Sequence, residues 1–428
     1  MKKVNIISLG CSKNLVDTEV LLKQLDKAGY VTETDAENSD ADVVIVNTCG
    51  FIGDAKEESV NTILEQVERK KKGEIQQVYV IGCLSQRYGP ELEAEIPEVD
   101  AFFGKFDWKG VLDRMGEHFD ESIRSQRLLT TPSHYAYLKI SEGCNRTCSY
   151  CAIPIMTGKH KSRNFEELLE ECRELVKHGV REILVVAQDL TYYGVDLYGK
   201  NRLAELIGRI SEIDGLRWIK LHYAYPAGFP EDLLKVMKER PNVCKYLDIA
   251  LQHCSDSMLK RMRRGITKQQ TIGLIRKIRR EVPDIFIRTT LMTGHPGETQ
   301  EDFEEICEFV REMKFERLGV FPYSHEEDTY CDKYYADDVP EDVKKERAEQ
   351  IMEIQAVVSE AVNASLVGKR LSVLIDRREG DYYIGRTEHD SPEVDPEVLI
   401  SSDKVLKIGE FYNVEIVSAD NYDLYGRI

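Results

Sequence analysis

Three cysteines stand close together in Cys144-Asn145-Arg146-Thr147-Cys148-Ser149-Tyr150-Cys151, a C-x3-C-x2-C run. Soft thiolate sulfurs suit iron-sulfur clusters or zinc. Three ligands on one short loop leave the fourth position of a tetrahedral or cubane site open, because no second Cys or His pair stands nearby in sequence to close it. An open position on a metal can take a substrate. A closed structural zinc loop is the alternative use of the same residues.

Three further cysteines are about 35 residues apart, yet each follows an apolar run: Leu9-Gly10-Cys11, Asn47-Thr48-Cys49 and Ile81-Gly82-Cys83. If those runs are neighbouring parallel strands, their carboxyl ends line one crevice and the three thiols converge there. Gly10 and Gly82 would allow tight turns and close backbone approach to a bulky inorganic group. Free cysteine is also a common buried hydrophobe. Three at equivalent strand ends, in a chain already carrying a thiolate loop, point instead to metal. Cys172, Cys244, Cys254, Cys307 and Cys331 have no such placement and are assigned to packing or the surface.

Polar residues near these runs are open to two readings each. Lys13 and Asp17 either contact substrate beside Cys11 or cap and solvate a helix start. His222, in His222-Tyr223-Ala224-Tyr225-Pro226, ends a strand and should face a cavity; His253 could do the same, and neither is given a role. In Leu291-Met292-Thr293-Gly294-His295-Pro296-Gly297-Glu298 the glycines would let backbone approach a ligand, or simply turn a strand into a helix.

The elements that must position these residues are legible as an α/β pattern. Val4 to Leu9, Asp42 to Asn47 and Val78 to Gly82 read as strands, with helices from Leu15 to Ala28 and Asp54 to Lys70 between them. A doubly wound parallel sheet follows. The polar, aperiodic stretch from Asp120 to His134 reads as a linker. Strands then recur at Tyr135 to Ser141, Glu182 to Ala187, Trp218 to His222, Lys245 to Ala250, Ile285 to Leu291 and Arg317 to Pro322, as in a full or partial β/α barrel. Pro340 and Glu341 open a long helix through about Val367. Alternation after Gly368 fits a small antiparallel barrel.

At 428 residues the chain should form two or three domains. No run approaches the roughly 18 apolar residues of a membrane span. The opening Met1-Lys2-Lys3-Val4-Asn5-Ile6-Ile7 lacks the apolar core of a signal peptide, so the protein is expected in the cytoplasm. There, 11 cysteines, an odd number, stay reduced and available to metal. A formal charge of -18 disfavours non-specific nucleic-acid binding and favours a basic partner.

The run from Cys144 to Cys151, with Tyr150 before its last cysteine, resembles the signature of the radical S-adenosylmethionine superfamily. In that superfamily three cysteines hold a 4Fe-4S cluster whose unique iron chelates the cofactor's amino and carboxylate groups. The resemblance makes Cys144, Cys148 and Cys151 the ligands and sets Tyr150 near the adenine, and Gln188, where Val186-Ala187-Gln188-Asp189 ends a strand, is expected to face the cofactor. The stretch from Gly294 to Thr299 resembles the G-x-P-G-E-T turn of methylthiotransferases, which adds Gly294 and Glu298 to that set. Over essentially the whole chain the order of parts resembles the methylthiotransferase family. Residues 1–118 correspond to its N-terminal domain, with a second 4Fe-4S cluster on Cys11, Cys49 and Cys83; 119–134 form a linker, 135–366 the radical core and 367–428 a TRAM domain. Ser8-Leu9-Gly10-Cys11-Ser12-Lys13-Asn14-Leu15-Val16-Asp17 is similar to the RimO branch, which modifies an aspartate of a small-subunit ribosomal protein at the decoding centre. The tRNA-modifying branch usually has Gln-Met-Asn where this chain has Ser12-Lys13-Asn14. From Gly368 onward, 8 Lys or Arg stand against 13 Asp or Glu, a net of -5, which is a poor grip for tRNA and a reasonable dock for a basic protein.

The activity this resemblance implies is radical insertion of a methylthio group at the aspartate β-carbon, which offers no handle to acid-base chemistry. The cofactor, cleaved to a 5′-deoxyadenosyl radical, would abstract hydrogen, and sulfur carried by the second cluster would be methylated and captured. An electron donor and a sulfur source are implied as partners, and no membrane. The alternatives are a tRNA adenosine methylthiotransferase and, from another class, a metal-cluster module for RNA binding or redox sensing.

Overall fold

A computed structural model describes residues 2–37 and 39–428, so Met1, at the head of the opening run, lies outside the described residues. Five parallel strands come first: β1 (Lys3–Ser8), β2 (Val31–Thr34), β3 (Val43–Thr48), β4 (Gln77–Gly82) and β5 (Ala101–Phe102). Their order is β2-β1-β3-β4-β5. β3 is buried along its whole length, which is why it reads as an unbroken apolar run instead of an alternating one. Helix α1 (Ser12–Lys27) packs Leu21, Leu22 and Leu25 on one face of the sheet. Helix α2 (Gly53–Lys71) packs Ile63 and Val67 on the other, as a doubly wound fold requires. β2 and β5 carried no sequence signal because both are short edge strands, and edges are kept short or polar to discourage pairing with other chains. The connections leave β1 in one direction and β3 in the other, so a crevice opens at the carboxyl ends of this pair.

The central sheet is also parallel. Its strands are β6 (Tyr135–Lys139), β9 (Glu182–Val186), β10 (Trp218–Ala224), β11 (Val243–Gln252), β12 (Phe286–Thr293) and β13 (Arg317–Pro322). They lie in the order β13-β12-β11-β10-β9-β6, an open, partial barrel. A short antiparallel pair, β7 (Ser141–Glu142) and β8 (Lys161–Ser162), brackets the cysteine loop. Ile183, Val185, Ile219, Leu221, Leu247 and Ile249 face the surrounding helices. The alternate residues, among them Lys220, His222, Tyr246 and Asp248, line the inner face.

The C-terminal unit is a closed barrel of β14 (Arg370–Glu379), β15 (Tyr382–Arg386), β16 (Val398–Ser401), β17 (Phe411–Ala419) and β18 (Leu424–Arg427). The expectation of a wholly antiparallel barrel needs one correction: β16 and β18 run parallel. Five is an odd number, and strictly alternating strand directions cannot close on themselves.

The stretch expected as a loose linker is fastened. The Arg127 guanidinium is buried between Glu19 of α1, at 2.8 Å, and Glu171 of the central domain, at 3.0 Å. The backbone N–H of Thr130 donates to the same Glu19. The long helix Glu341–Ala364 buries Ile351 in the central core, and its Asn363 Nδ2 donates to the carbonyls of Asp420 and Tyr422 in the last hairpin. No helix among the described residues is long and apolar enough to cross a membrane.

Candidate active site

Strand register brings the dispersed cysteines together. Ser8 lies opposite Asn47, and Thr48 opposite Gly82, so the carboxyl ends of β1, β3 and β4 are level. Cys11 caps α1, its carbonyl accepting from the N–H groups of Asn14 and Leu15. The Cys49 N–H donates to Ser59 Oγ, which returns its hydroxyl to the Cys49 carbonyl. Cys83 opens helix α3 (Cys83–Glu95). Asn14 ties the three turns: its Nδ2 donates to the carbonyls of Leu9 and Thr48, and its Oδ1 lies 3.6 Å from Cys83 Sγ. Gly10 sits at φ +89°, and a Cβ there would lie 2.7 Å from Cys49 Cβ and 2.8 Å from its Sγ. The glycine therefore answers to its neighbouring thiol as well as to its own turn.

The electrostatics of this trio suit an anionic cluster. Burial pushes the Cys11 thiol up, but the Lys13 and Lys105 ammonium groups and nearby N–H groups outweigh it and leave the thiol below its usual value. Burial raises Cys49, and it pushes Cys83 up to about 12 against the pull of Lys105. Each of these two thiols also feels the charge of Cys11, so the sulfurs are near neighbours. Lys105 gave no signal in the sequence, since only the fold carries it from the end of β5 to these cysteines.

The loop from Cys144 to Cys151 lies between β7 and α-helix Ile153–Thr157. It is anchored at Ser149: its N–H donates to the Met262 carbonyl, its carbonyl accepts from the Cys331 N–H, and its hydroxyl lies 3.0 Å from His295 Nε2. Arg146 N–H points at Cys144 Sγ, 3.4 Å away, and Arg264 Nη1 lies 3.2 Å from both Cys148 Sγ and the Tyr150 hydroxyl. Tyr225, which packs on Arg264, also approaches Cys148, with its hydroxyl 3.6 Å from the sulfur. Burial pushes Cys144 up to about 11 and raises Cys151, each despite a neighbouring arginine. Donors aimed at sulfur, with cations behind them, are the surroundings a thiolate-bound cluster needs. Among the described residues no three His, Cys, Asp or Glu side chains converge on a position for a single metal ion.

The two cysteine-bearing segments touch: Cys83 packs against Ala152, next to Cys151, and against Met156 of the helix that follows. Lys105 reaches Glu142, two residues before Cys144, at 3.1 Å, and Lys139 of β6 pairs with Asp17 of α1 as well as with Glu142 at 2.7 Å. Those cations hold the Glu142 carboxyl at about 2 although burial pushes it up. Gln188 Nε2 donates to the same Glu142, while Gln188 Oε1, Ser12 Oγ and Ser141 Oγ are buried without a protein partner. Asp17 is thus an interdomain ion-pair residue and no helix cap.

Gly294 and Glu298 are placed differently from the other expected cofactor residues. Glu298 accepts from the Gly294 N–H at 2.9 Å, pairs with Arg347 at 2.7 Å and lies 3.6 Å from His253 Nε2, so its oxygens are taken up within the protein. Gly294, at φ +70°, is pressed on by the Lys344 side chain. His222 faces the inside of the partial barrel, 3.2 Å from Ser391 Oγ. The five remaining cysteines are all buried, and Cys331 lies 3.1 Å from His295 Nε2.

Comparison with known proteins agrees with this arrangement. Residues 138–310 match the Radical SAM superfamily, 3–104 the uncharacterized protein family UPF0004, and 367–428 a TRAM domain. The fold is shared with the radical S-adenosylmethionine methyltransferase TsrM from Kitasatospora setae (TM-score 0.54, 14% identity, 75% of each chain). It is shared too with the cobalamin-dependent radical enzyme OxsB (TM-score 0.52, 14% identity, 82% of this chain and 56% of that one). Fold and thiol loop together define a radical S-adenosylmethionine enzyme, a class whose cofactors are an iron-sulfur cluster and S-adenosylmethionine. Relatives named ribosomal protein uS12 methylthiotransferase RimO are 61% identical in Porphyromonas gingivalis, across all of this chain and 99% of the relative, and 59% identical in Bacteroides thetaiotaomicron, across all of this chain and 98% of the relative. A third, from Christiangramia forsetii, is 52% identical across 99% of this chain and 94% of its own. The chain belongs to the RimO methylthiotransferase family.

Proposed function

We propose that this enzyme transfers a methylthio group to the β-carbon of an aspartate in ribosomal protein uS12, in the cytoplasm, with an electron donor and a sulfur source as further partners. Cys144, Cys148 and Cys151 hold one 4Fe-4S cluster, and Cys11, Cys49 and Cys83 hold a second. The observation that carries this reading is the packing of Cys83 on Ala152 and Met156, which brings one thiol of the first trio against the residues that follow Cys151 across one domain boundary. When bound, the clusters and S-adenosylmethionine supply a carbon-centred oxidant and a deliverable sulfur.

The chain's own residues then position and enclose. Tyr150, held by Arg264, and Gln188, whose Oε1 has no protein partner, line the S-adenosylmethionine site. Gly294 and Glu298 serve it indirectly, by holding the turn that carries His295 against Ser149. The Lys105, Asp17, Lys139 and Glu142 ion pairs clamp the two domains and keep the space between the trios small and water-poor, where a radical survives long enough to react with its intended partner.

The test is mass spectrometry after anaerobic incubation of cluster-loaded enzyme with reductant, sulfide and S-adenosylmethionine, offering the uS12 loop peptide and bulk tRNA in separate tubes. A methylthio mass gain on the peptide's aspartate is expected. A gain on tRNA alone would keep the chemistry and overturn the substrate.

A further inference from the structure

The cations around the thiol trios are nearly all neutralised. Lys105 and Lys139 share Asp17 and Glu142, Arg146 pairs with Asp189 at 2.7 Å, and Arg288, deeper in the partial barrel, faces Asp248 at 3.6 Å and Asp395 at 3.2 Å. Two cations lack a carboxylate: Arg264, whose guanidinium is taken up by Cys148 Sγ, the Tyr150 hydroxyl and the Ala250 carbonyl, and Lys13. The Lys13 side chain is buried, at 8% exposure, and among the described residues no carboxylate stands within ion-pair distance of its ammonium. Asp248, on the inner face, is engaged by the Tyr223 N–H at 3.1 Å and by Arg288 at 3.6 Å.

What holds Lys13 instead is an aromatic face: Nζ lies 3.6 Å from the centroid of the Tyr223 ring. A cation–π contact orients an ammonium without neutralising it. Tyr223 itself has a φ of +66°, in the left-handed region that an aromatic residue rarely occupies. Such strain persists where the surrounding structure enforces it, and it gathers at functional sites. Beside Lys13, Ser12 Oγ is buried with no partner. The geometry is a pre-aimed cation without a carboxylate partner, two residues from Cys11 and beside Tyr223 of β10.

We propose that Lys13 receives the side-chain carboxylate of the target aspartate, with Tyr223 holding the ammonium in place, and that this pairing selects aspartate over its neutral isostere. The inference rests on the uS12 reading above. A carboxylate entering this buried site must leave water, and an unpaired buried charge is strongly disfavoured. Lys13 supplies its counter-charge, and the same carboxylate completes Lys13. Pairing at that point holds the adjacent β-carbon beside Cys11, at the boundary between the two domains.

Binding is measured with cluster-loaded enzyme and two loop peptides that differ only by Asp or Asn at the target position, for the native chain, Lys13→Met and Lys13→Arg. Iron content and the visible spectrum are recorded for each. The native enzyme should prefer the Asp peptide by about tenfold, as charge-assisted hydrogen bonds are worth. Lys13→Met should bind the two peptides alike, through loss of affinity for Asp alone, while Lys13→Arg keeps part of the preference with iron content unchanged. If Lys13→Met preserves the Asp preference, or weakens both peptides equally, this pairing is wrong and the substrate reading stands. If the native enzyme binds neither peptide but modifies tRNA, both fall.

Discussion

Gly10 shows how one residue without a side chain governs the chemistry of another. A methyl group at Gly10 has to displace Cys49, and its backbone at φ +89° strains any other residue. On the two-cluster reading proposed above, Gly10→Ala should therefore remove the cluster held by Cys11, Cys49 and Cys83 while leaving the loop from Cys144 to Cys151 loaded. Cys49→Ala should do the same by deleting a ligand. In both variants iron per chain falls and methylthio transfer stops, yet 5′-deoxyadenosine is still formed from S-adenosylmethionine. Chromatography of that product alongside an iron assay is the check, and its loss in a folded, partly loaded variant would overturn the division of labour between the trios. The six cysteines themselves were legible because thiols at strand ends and in a tight loop carry their own spacing. Asn14, Asn47 and Lys105 were not: their hydrogen bonds and charge reach the sulfurs across strands and domains, and no sequence interval records that.

At the scale of elements, α1 is the piece on which the site turns. It is buried on two sides, packing Leu21, Leu22 and Leu25 on its own sheet and Val16 on Tyr135, Tyr137, Leu184 and Val186 of the central one. Polar residues that would mark a solvent face, Asp17 and Glu19, are buried there instead. Periodicity identified the helix but not its second contact, because an ion-paired interface looks like a wet surface in sequence. The same ambiguity hid the function of the stretch after Asp120. Arg127 neutralises Glu19 and Glu171 at once, with almost no exposure of its own. Replacing it with Met leaves the buried Glu19 without a cation, while Glu171 keeps Arg163 at 2.6 Å, and breaking a buried pair in this way costs about 3–5 kcal/mol. Arg127→Met should lower the urea midpoint accordingly and loosen the domain boundary, which hydrogen exchange at β6 and α1 would report.

At the scale of the whole molecule, the C-terminal barrel meets the central sheet through apolar packing, Trp218 and Tyr246 against Leu374 and Phe411, and through buried charge. Glu182, at the head of β9, accepts from Lys220 at 2.7 Å and from Arg386 of β15 at 2.8 Å, and Arg386 continues to Asp376 of β14 at 2.7 Å. His134, at the end of the interdomain stretch, lies 2.8 Å from the same Asp376, and Arg317 of β13 pairs with Asp390 at 2.6 Å. Burial pushes the Asp376 carboxyl up, but Arg386 and the His134 hydrogen bond overcome it and hold it at about 2, below its unfolded value of 3.8. A carboxyl depressed on folding adds stability that is fully present above pH 3.8 and disappears as the pH falls through about 2. The shift corresponds to about 2 kcal/mol. Asp376→Asn should be less stable than the native chain at neutral pH, and the difference between the two should narrow as the pH is lowered below about 4, because only the native chain has this proton to take up. Urea unfolding of both proteins from pH 6 down to pH 3 measures that difference; a gap that stays constant over the series would mean that Asp376 acts by packing and not by its charge.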